Sequence, residues 1–303
     1  MKFTAITAAA FLLATSVFAS ESRMDRHANM KRVPAAGGPT DVEILNYALT
    51  LEYLERDFYA MGLAKFQLKD FKAAGFSRKV YERFVTLAGQ EKTHVAFLSS
   101  ALGSSAVKEC QYSFGLTDVK SFLFISLILE GVGTSAYLGA APDITEAAYL
   151  SAAGAILTVE ARHSSYLNEI NGLSGFPSPY DAALTYSQVY TLASQFIVPG
   201  SCPAGGPLPA GIHAFPKLTV KTASPKAGHK CGLHFPLKSG VSSYYVAFIN
   251  GLTTTIVAID NSNGVVEVPA ALAGLGATYV VITSSSSALT EANTIAGPAV
   301  MIL

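Results

Sequence analysis

Two short segments of the chain share one spacing of glutamate and histidine. EKTHVAFL begins at Glu91 and EARHSSYL at Glu160, and a histidine follows each glutamate by three positions (His94 and His163). Residues three apart on a helix lie on one face, so that carboxylate and imidazole can reach a common point. Both groups are ligands of transition-metal ions. Each segment is therefore predicted to supply half of a metal site.

Two further glutamates occur in a second repeated pattern. LTLEYLERDFY contains Glu52 and LILEGVGTSAY contains Glu130, and a tyrosine follows each by seven positions (Tyr59 and Tyr137). Seven residues are two helical turns, which puts each tyrosine on the face of its glutamate. The chain thus duplicates a unit of one glutamate helix and one Glu-x-x-His helix. We assign no catalytic residue and interpret both tyrosines as core aromatics beside the metals.

The sequence around Glu130 indicates that its carboxylate is buried. It lies in FLFISLILEGVG, and GAILTV precedes Glu160 in the same way. A buried carboxylate needs a cation, a hydrogen-bond partner or a proton, because leaving it unpaired is costly. Four carboxylates and two imidazoles inside a helical bundle can hold two metal ions, with carboxylates bridging them. Glu55, one turn after Glu52, is an alternative ligand; the repeated Leu-x-Leu-Glu pattern favours Glu52.

The elements that must position these residues are helices. Hydrophobic periodicity is helical from Thr40 to Val198, and Gly and Pro interrupt it at intervals. The predicted helices are four long ones, 41–66, 77–102, 119–141 and 143–170, and a shorter one within 183–197. Long helices with short connections indicate an antiparallel four-helix bundle.

From Pro216 onward the pattern changes to short β-branched runs separated by turn residues. Six or seven strands in this segment are typical of a small all-β, Ig-like sandwich. We therefore predict an α + β protein of two domains. The predicted boundaries are a helical bundle at 40–203, a linker at 204–215 and a β-sandwich at 216–303.

The N-terminal segment resembles a secretory signal peptide, 1–19, with Lys2 before an apolar run and small residues near Ala19. Residues 20–39 are predicted to be a disordered pro-segment, cut at Lys31-Arg32, or an uncut linker. The mature protein is thus expected outside the cell or in the cell wall. No later segment is predicted to span a membrane.

Composition narrows the choice of partners. The chain has 21 basic and 21 acidic side chains, a balance that gives no electrostatic footprint for nucleic acid. Three cysteines suggest one disulfide and one remaining thiol. Cys110 and Cys202 are the favoured pair, because both follow predicted helices; Cys231 remains an alternative partner. The oligomeric state is left open, and a homo-oligomer is allowed for.

The motifs resemble those of the ferritin-like di-iron carboxylate superfamily. DVEILNYALTLEYLERDFY, EKTHVAFL, LEGVGTSAYLGA and ILTVEARHSSYL are similar to segments of secreted fungal stress-response proteins and plant desiccation-related proteins. The resemblance implies two metal ions, iron first and manganese or a mixed pair as alternatives. It implies six ligands: Glu52, Glu91, His94, Glu130, Glu160 and His163. It also matches Tyr59 to a ferritin tyrosine near the metals, whereas the appended β-domain argues against a closed storage cage.

Two classes of function follow. The first is stress-related metal binding or oxidation, which leaves open whether the protein is an enzyme, a di-iron oxidoreductase. The alternative is an extracellular structural protein with a vestigial metal site, whose β-domain binds a wall polymer or a protein partner. Replacing His94 and His163 by alanine should abolish the first and leave the second intact.

Overall fold

The computed structural model describes residues 37–204, 206, 208–260 and 264–303. The predicted signal peptide and residues 20–36 of the predicted pro-segment or linker lie outside the described residues. The described chain has a helical region from Asp41 to Ala193 and a sheet region from Thr219 to Ile302. The chain is thus an α + β protein, as predicted, while the predicted domain boundaries stay a prediction.

Four long helices and two short ones make up the helical region. They are α1 Asp41–Lys65, α2 Leu68–Ala73, α3 Arg78–Leu102, α4 Val119–Ala140, α5 Ala147–Ile170 and α6 Tyr186–Ala193. Helix α1 packs against α3, α4 packs against α5, and the two pairs meet where α1 contacts α4. The sequence predicts all but α2, a short helix that buries Phe71 against Tyr81 and Phe84.

The helix ends follow from local side-chain chemistry. Thr40 and Glu43 form a reciprocal capping box at the start of α1, which satisfies two backbone N–H groups. Gly103 ends α3 with φ = 54°, a backbone conformation that favours glycine. Helix α5 begins at Ala147, four residues later than predicted, because Asp41 accepts hydrogen bonds from the backbone just before it and holds that segment outside the helix.

Seven antiparallel strands form two sheets in the sheet region. They are β1 Thr219–Val220, β2 Lys230–His234, β3 Tyr245–Asn250, β4 Thr253–Ala258, β5 Val265–Glu267, β6 Ala277–Thr283 and β7 Thr294–Ile302. The smaller sheet has the order β1-β2-β5 and the larger sheet the order β4-β3-β6-β7. The seven strands agree with the six or seven predicted, and the Ig-like topology stays a prediction.

The larger sheet packs on both faces. Along β3, Val246 and Phe248 join a hydrophobic cluster with the smaller sheet, whereas Ala247 and Ile249 join the core of the helical region. Successive side chains of a strand point to opposite faces, which explains this alternation. On β6, the Tyr279 hydroxyl also donates a hydrogen bond of 2.9 Å to a backbone carbonyl of α4. The sheet region is therefore in extended contact with the helices.

A disulfide joins Cys110, after α3, to Cys202, after α6. This is the pairing that the sequence favours, and it links two segments that flank the helical region. Cys231 is a free thiol, buried in the cluster between the two sheets. The bond stabilises the region mainly by restricting the unfolded chain between its two ends.

One described helix, Val119–Asp143, is long and apolar enough to cross a membrane by length and composition. In its most apolar window, however, 67% of the residues are buried inside the protein. This helix contains Glu130, whose carboxylate faces the interior. Its hydrophobicity thus has an explanation in packing against the other helices and the larger sheet.

Candidate metal centre

The six predicted ligands meet inside the helical region. Helix α1 supplies Glu52, α3 supplies Glu91 and His94, α4 supplies Glu130, and α5 supplies the remaining pair, Glu160 and His163. The four glutamates are fully inaccessible to solvent, and the two histidines are 8% and 6% exposed. Side chains far apart in sequence therefore share one buried point, as the duplicated pattern predicts.

The six side chains form two overlapping groups, each of which could hold a metal ion. The first group is Glu52, Glu91, His94 and Glu160; the second is Glu91, Glu130, Glu160 and His163. Within each group, one ligand atom per residue lies within 4.8 Å of all the others. Glu91 and Glu160 belong to both groups, so that each can contribute an oxygen to both positions. Glu52 and Glu130 belong to one group each.

The helical spacing places each imidazole against its carboxylates. His94 Nδ1 lies 3.0 Å from Glu91 Oε2, three residues before it on the same helix. His163 Nδ1 lies 3.0 Å from Glu130 Oε2 on the neighbouring helix and 3.1 Å from Glu91 Oε1. Both rings thus present the same nitrogen, Nδ1, to the shared point.

The two tyrosines donate hydrogen bonds to the outer carboxylates, those of Glu52 and Glu130, which belong to one group each. Each tyrosine binds the glutamate from the other half of the duplicated unit. Tyr137 donates a hydrogen bond of 2.6 Å to Glu52 Oε1, and Tyr59 donates a short one to Glu130 Oε1. Each tyrosine lies two helical turns after its own glutamate, as predicted, but the hydrogen-bond partners are exchanged, because each donates to the glutamate of the other half. The exchange follows from the contact between α1 and α4, which brings each tyrosine beside the opposite helix. Burial raises the pKa of both hydroxyls well above its ordinary value, so they remain donors.

Gln90 contacts His163, and the sequence pattern did not predict this contact. Its Oε1 lies 2.6 Å from His163 Nε2. An amide oxygen only accepts hydrogen bonds, so Nε2 carries the hydrogen and Nδ1 is the nitrogen available to a metal. Gln90 directly precedes Glu91, and the corresponding residue before Glu160 is Val159, which offers no such acceptor. The duplicated pattern therefore gave no signal for it.

Glu52 and Glu55, the two candidates on α1, occupy different positions. Glu52 is part of the first group, and Glu55 is part of neither. Glu55 is nonetheless buried, at 4% exposure, and faces the same interior. Burial, with the charges of the neighbouring carboxylates, raises its pKa well above the ordinary value. The arrangement favours Glu52 as a ligand and gives Glu55 a place beside the centre.

Without a metal, the histidines neutralise the carboxylates. Burial alone would lower the pKa of His94 and His163, but hydrogen bonds with the carboxylates outweigh it and raise the values to about 12 and about 9. Burial raises the pKa of Glu52 to about 7. For Glu91, burial is outweighed by hydrogen bonds with both imidazoles, which lower its pKa to about 2. In the metal-free site, imidazole and carboxyl groups with raised pKa values therefore carry protons that a bound cation would displace.

The site fits a cation because several of its buried carboxylate oxygens have no well-aligned hydrogen bond. Four buried carboxylate oxygens have no well-aligned hydrogen bond in the described part of the chain: Glu52 Oε2, Glu91 Oε1, Glu160 Oε1 and Glu160 Oε2. An imidazole Nδ1 lies 3.2, 3.1 and 3.3 Å from the first three of them, and no residue that the structure describes pairs with the fourth. Buried polar atoms are normally satisfied, and a missing ion is one recognised explanation for those that are not. All four belong to the two groups. Carboxylate oxygens with imidazole nitrogens form a donor set suited to iron and manganese.

Comparison with known proteins gives two similarities. A model of the ferritin-like domain family matches residues 40–173, a range that contains all six predicted ligands. The protein rds1 of Schizosaccharomyces pombe is 30% identical over 164 residues. That alignment covers 54% of this chain and 40% of the rds1 protein, so the chain spans well under half of that relative's length. The family match supports a ferritin-like helical region.

Proposed function

We propose that the helical region is a ferritin-like four-helix bundle that binds two metal ions. Glu91 and Glu160, which belong to both groups, would help to hold both ions; Glu52 and His94 would complete one site, and Glu130 and His163 the other. Iron is the expected metal, with manganese or a mixed pair as alternatives, because these ions accept mixed carboxylate and imidazole ligands. The observation that carries the proposal is the set of four buried carboxylate oxygens that have no well-aligned hydrogen bond, all of which belong to residues of the two groups.

Other side chains of the chain prepare the site for the ions. Tyr137 and Tyr59 fix the outer carboxylates, and Gln90 fixes the tautomer and the ring orientation of His163. Removing a hydrogen bond that orients a metal ligand usually lowers metal affinity about 10- to 100-fold, and we expect an effect of this order here. Bound iron would supply redox chemistry. The buried, mostly apolar surroundings limit access of water to it.

The proposed role is metal binding outside the cell, related to stress. Secretion is supported by the N-terminal sequence, and the stress-related role by the resemblance of the helical motifs to secreted fungal and plant proteins of that kind. Whether bound iron also turns over an organic substrate separates a binding protein from an oxidoreductase. Oxygen consumption by the iron-loaded protein, measured with and without a reductant, distinguishes the two.

Metal counting tests the proposal. Wild-type protein is loaded with Fe(II) without oxygen, desalted and assayed by elemental analysis, and two iron ions per chain are expected. The double variant His94→Ala/His163→Ala should lose both ions. His229→Ala is the matched control, since His229 is exposed and lies in the sheet region. A folded wild-type protein that takes up no metal, or a double variant that retains two ions, would contradict the proposal.

A further inference from the structure

A cavity of about 250 Å³ lies between the helical region and the larger sheet. Its walls come mainly from α1, α4, the end of α6 and β7, and most of the side chains are apolar, among them Leu54, Val132 and Val300. Phe124 and Gln195 also line it, and both are exposed. An apolar cavity of about 150 Å³ is enough to bind benzene, so this one has room for an aromatic ring or a short alkyl chain.

The inner end of the cavity reaches the proposed metal centre at Gly133. A Cβ atom at this position would lie 2.9 Å from Glu55 Oε1 and 2.9 Å from Glu160 Oε2. Any other residue would therefore press on both carboxylates. Because Gly133 has no Cβ, the carboxylates of Glu55 and Glu160 both lie against this wall of the cavity, and Glu160 is one of the two residues that belong to both groups.

Glu55 is the acidic side chain at this inner end. It lines the cavity, it is 4% exposed, and its carboxyl group makes no hydrogen bond with any residue that the structure describes. A buried polar group without a partner in the protein is free to bind a polar group of a ligand. The duplicated sequence pattern is broken here, because Glu55 follows Glu52 by three positions and Gly133 follows Glu130 by three. In the described part of the chain, the acid on α1 therefore faces a glycine on α4 instead of a second acid.

We propose that this cavity binds a small, largely apolar organic molecule that carries one hydroxyl group. The hydroxyl pairs with the Glu55 carboxyl, and the apolar part lies against Val132 and Val300. A hydroxyl both donates and accepts, so it suits a carboxyl group in either protonation state. As a substrate site of the metal centre the inference rests on the proposed function, whereas binding of the molecule itself does not require metal.

Benzyl alcohol is the probe, and toluene is its match without a hydroxyl group. Binding to the metal-free wild-type protein is followed by ligand-observed NMR and by intermolecular NOEs from the ring protons to the methyl groups of Val132 and Val300. Benzyl alcohol should bind at least tenfold more tightly than toluene, with NOEs to both valines. No binding, or NOEs only to residues elsewhere, overturns the inference without any variant.

Variants test the position and the polar contact separately. Val300→Phe fills the cavity and should lower the affinity for benzyl alcohol at least tenfold. Val257→Phe is the control, a half-buried valine of the same sheet that does not line the cavity. Glu55→Leu should remove the preference for benzyl alcohol over toluene. Unchanged binding to Val300→Phe, equal loss in Val257→Phe, or a retained preference in Glu55→Leu would each overturn the inference.

Metal content keeps this test separate from that of the proposed function. Val300 is remote in sequence from all six ligands and lies on the sheet, so Val300→Phe should keep the wild-type metal content while it loses benzyl alcohol. A wild-type protein that binds benzyl alcohol with the predicted NOEs but takes up no metal refutes the metal centre and leaves the cavity site standing. The reverse outcome refutes the cavity site alone.

Discussion

The metal-free protein should lose stability as the pH rises from 7 to 9. In the folded protein the pKa of His94 is raised to about 12 and that of His163 to about 9, whereas both titrate near 6.5 in the unfolded chain. A histidine whose pKa is higher in the folded state stabilises the fold fully at pH values below its unfolded-state pKa. This stabilisation is lost as the pH rises through its folded-state pKa. Between these limits the folded state binds more protons, so that raising the pH favours unfolding.

The size of the effect follows from the number of protons. Each histidine that is protonated only in the folded state lowers the free energy of unfolding by about 1.4 kcal/mol per pH unit. Two such histidines lower it by roughly 3 kcal/mol per pH unit. We expect about 1–3 kcal/mol per pH unit, because the two imidazoles share carboxylates. Glu52, with its pKa raised to about 7, adds a slope of the same sign below pH 7. Glu91, with its pKa lowered to about 2, stabilises above its unfolded value and adds no slope in this range.

Bound metal should reverse this trend. A metal-ligating imidazole must be neutral at the coordinating nitrogen, so binding releases the stored protons and becomes more favourable as the pH rises. The free energy that metal adds to folding should therefore increase between pH 6 and pH 8. Urea unfolding at pH 6, 7, 8 and 9, with chelator or with saturating Mn(II), measures both slopes.

Histidine variants provide the control for the pH prediction. His94→Ala/His163→Ala should reduce the slope of the metal-free protein between pH 7 and 9, and His229→Ala should leave it unchanged. A smaller slope of the same sign should remain, because burial raises the pKa of the Glu55 and Glu160 carboxyls well above the ordinary value. The reasoning would be refuted by a metal-free stability that is constant or rises over this range. It would also be refuted by a double variant that keeps the wild-type slope.

Three further substitutions test contacts that hold the helices and the site. Tyr137→Phe leaves a buried carboxylate oxygen without its donor and should lower metal affinity about 10- to 100-fold, measured by competition with a chelator; unchanged affinity would contradict the assigned contact. Gly62→Ala places a Cβ 2.2 Å from the ring of Phe122 and should cost about 1–3 kcal/mol in urea unfolding, while a neutral result would disprove the close packing. Cys110→Ser breaks the bond to Cys202 and should cost about 2–5 kcal/mol; identical unfolding midpoints for the variant and the wild type would count against the disulfide.

The sequence predicts the local elements and the six side chains of the site well, for a physical reason. Helical periodicity and the three-residue spacing from Glu91 to His94 depend on one helix at a time. The same holds for Glu130, whose apolar neighbours alone indicate burial. Duplication then pairs the halves, so the convergence of all six side chains follows once four helices are assumed to pack together.

Contacts between elements could not be predicted in this way. The exchange of tyrosine partners depends on how α1 and α4 lie against each other, and the contact of Gln90 with His163 depends on α3 and α5. The packing of the larger sheet on the helices depends on strands that lie more than 80 residues after His163 in the sequence. The cavity beside Glu55 arises from that packing, and no periodicity within a single element indicates it.

Anomalous diffraction at the iron edge, from crystals of the iron-loaded protein, tests the central claim most directly. The account predicts two anomalous peaks inside the helical region, one in each group of ligands. Oxygens of Glu91 and Glu160 should lie within coordination distance of both peaks, with His94 at one and His163 at the other. Iron bound only at the protein surface, or side chains of the two groups with no peak between them in fully loaded protein, would contradict it.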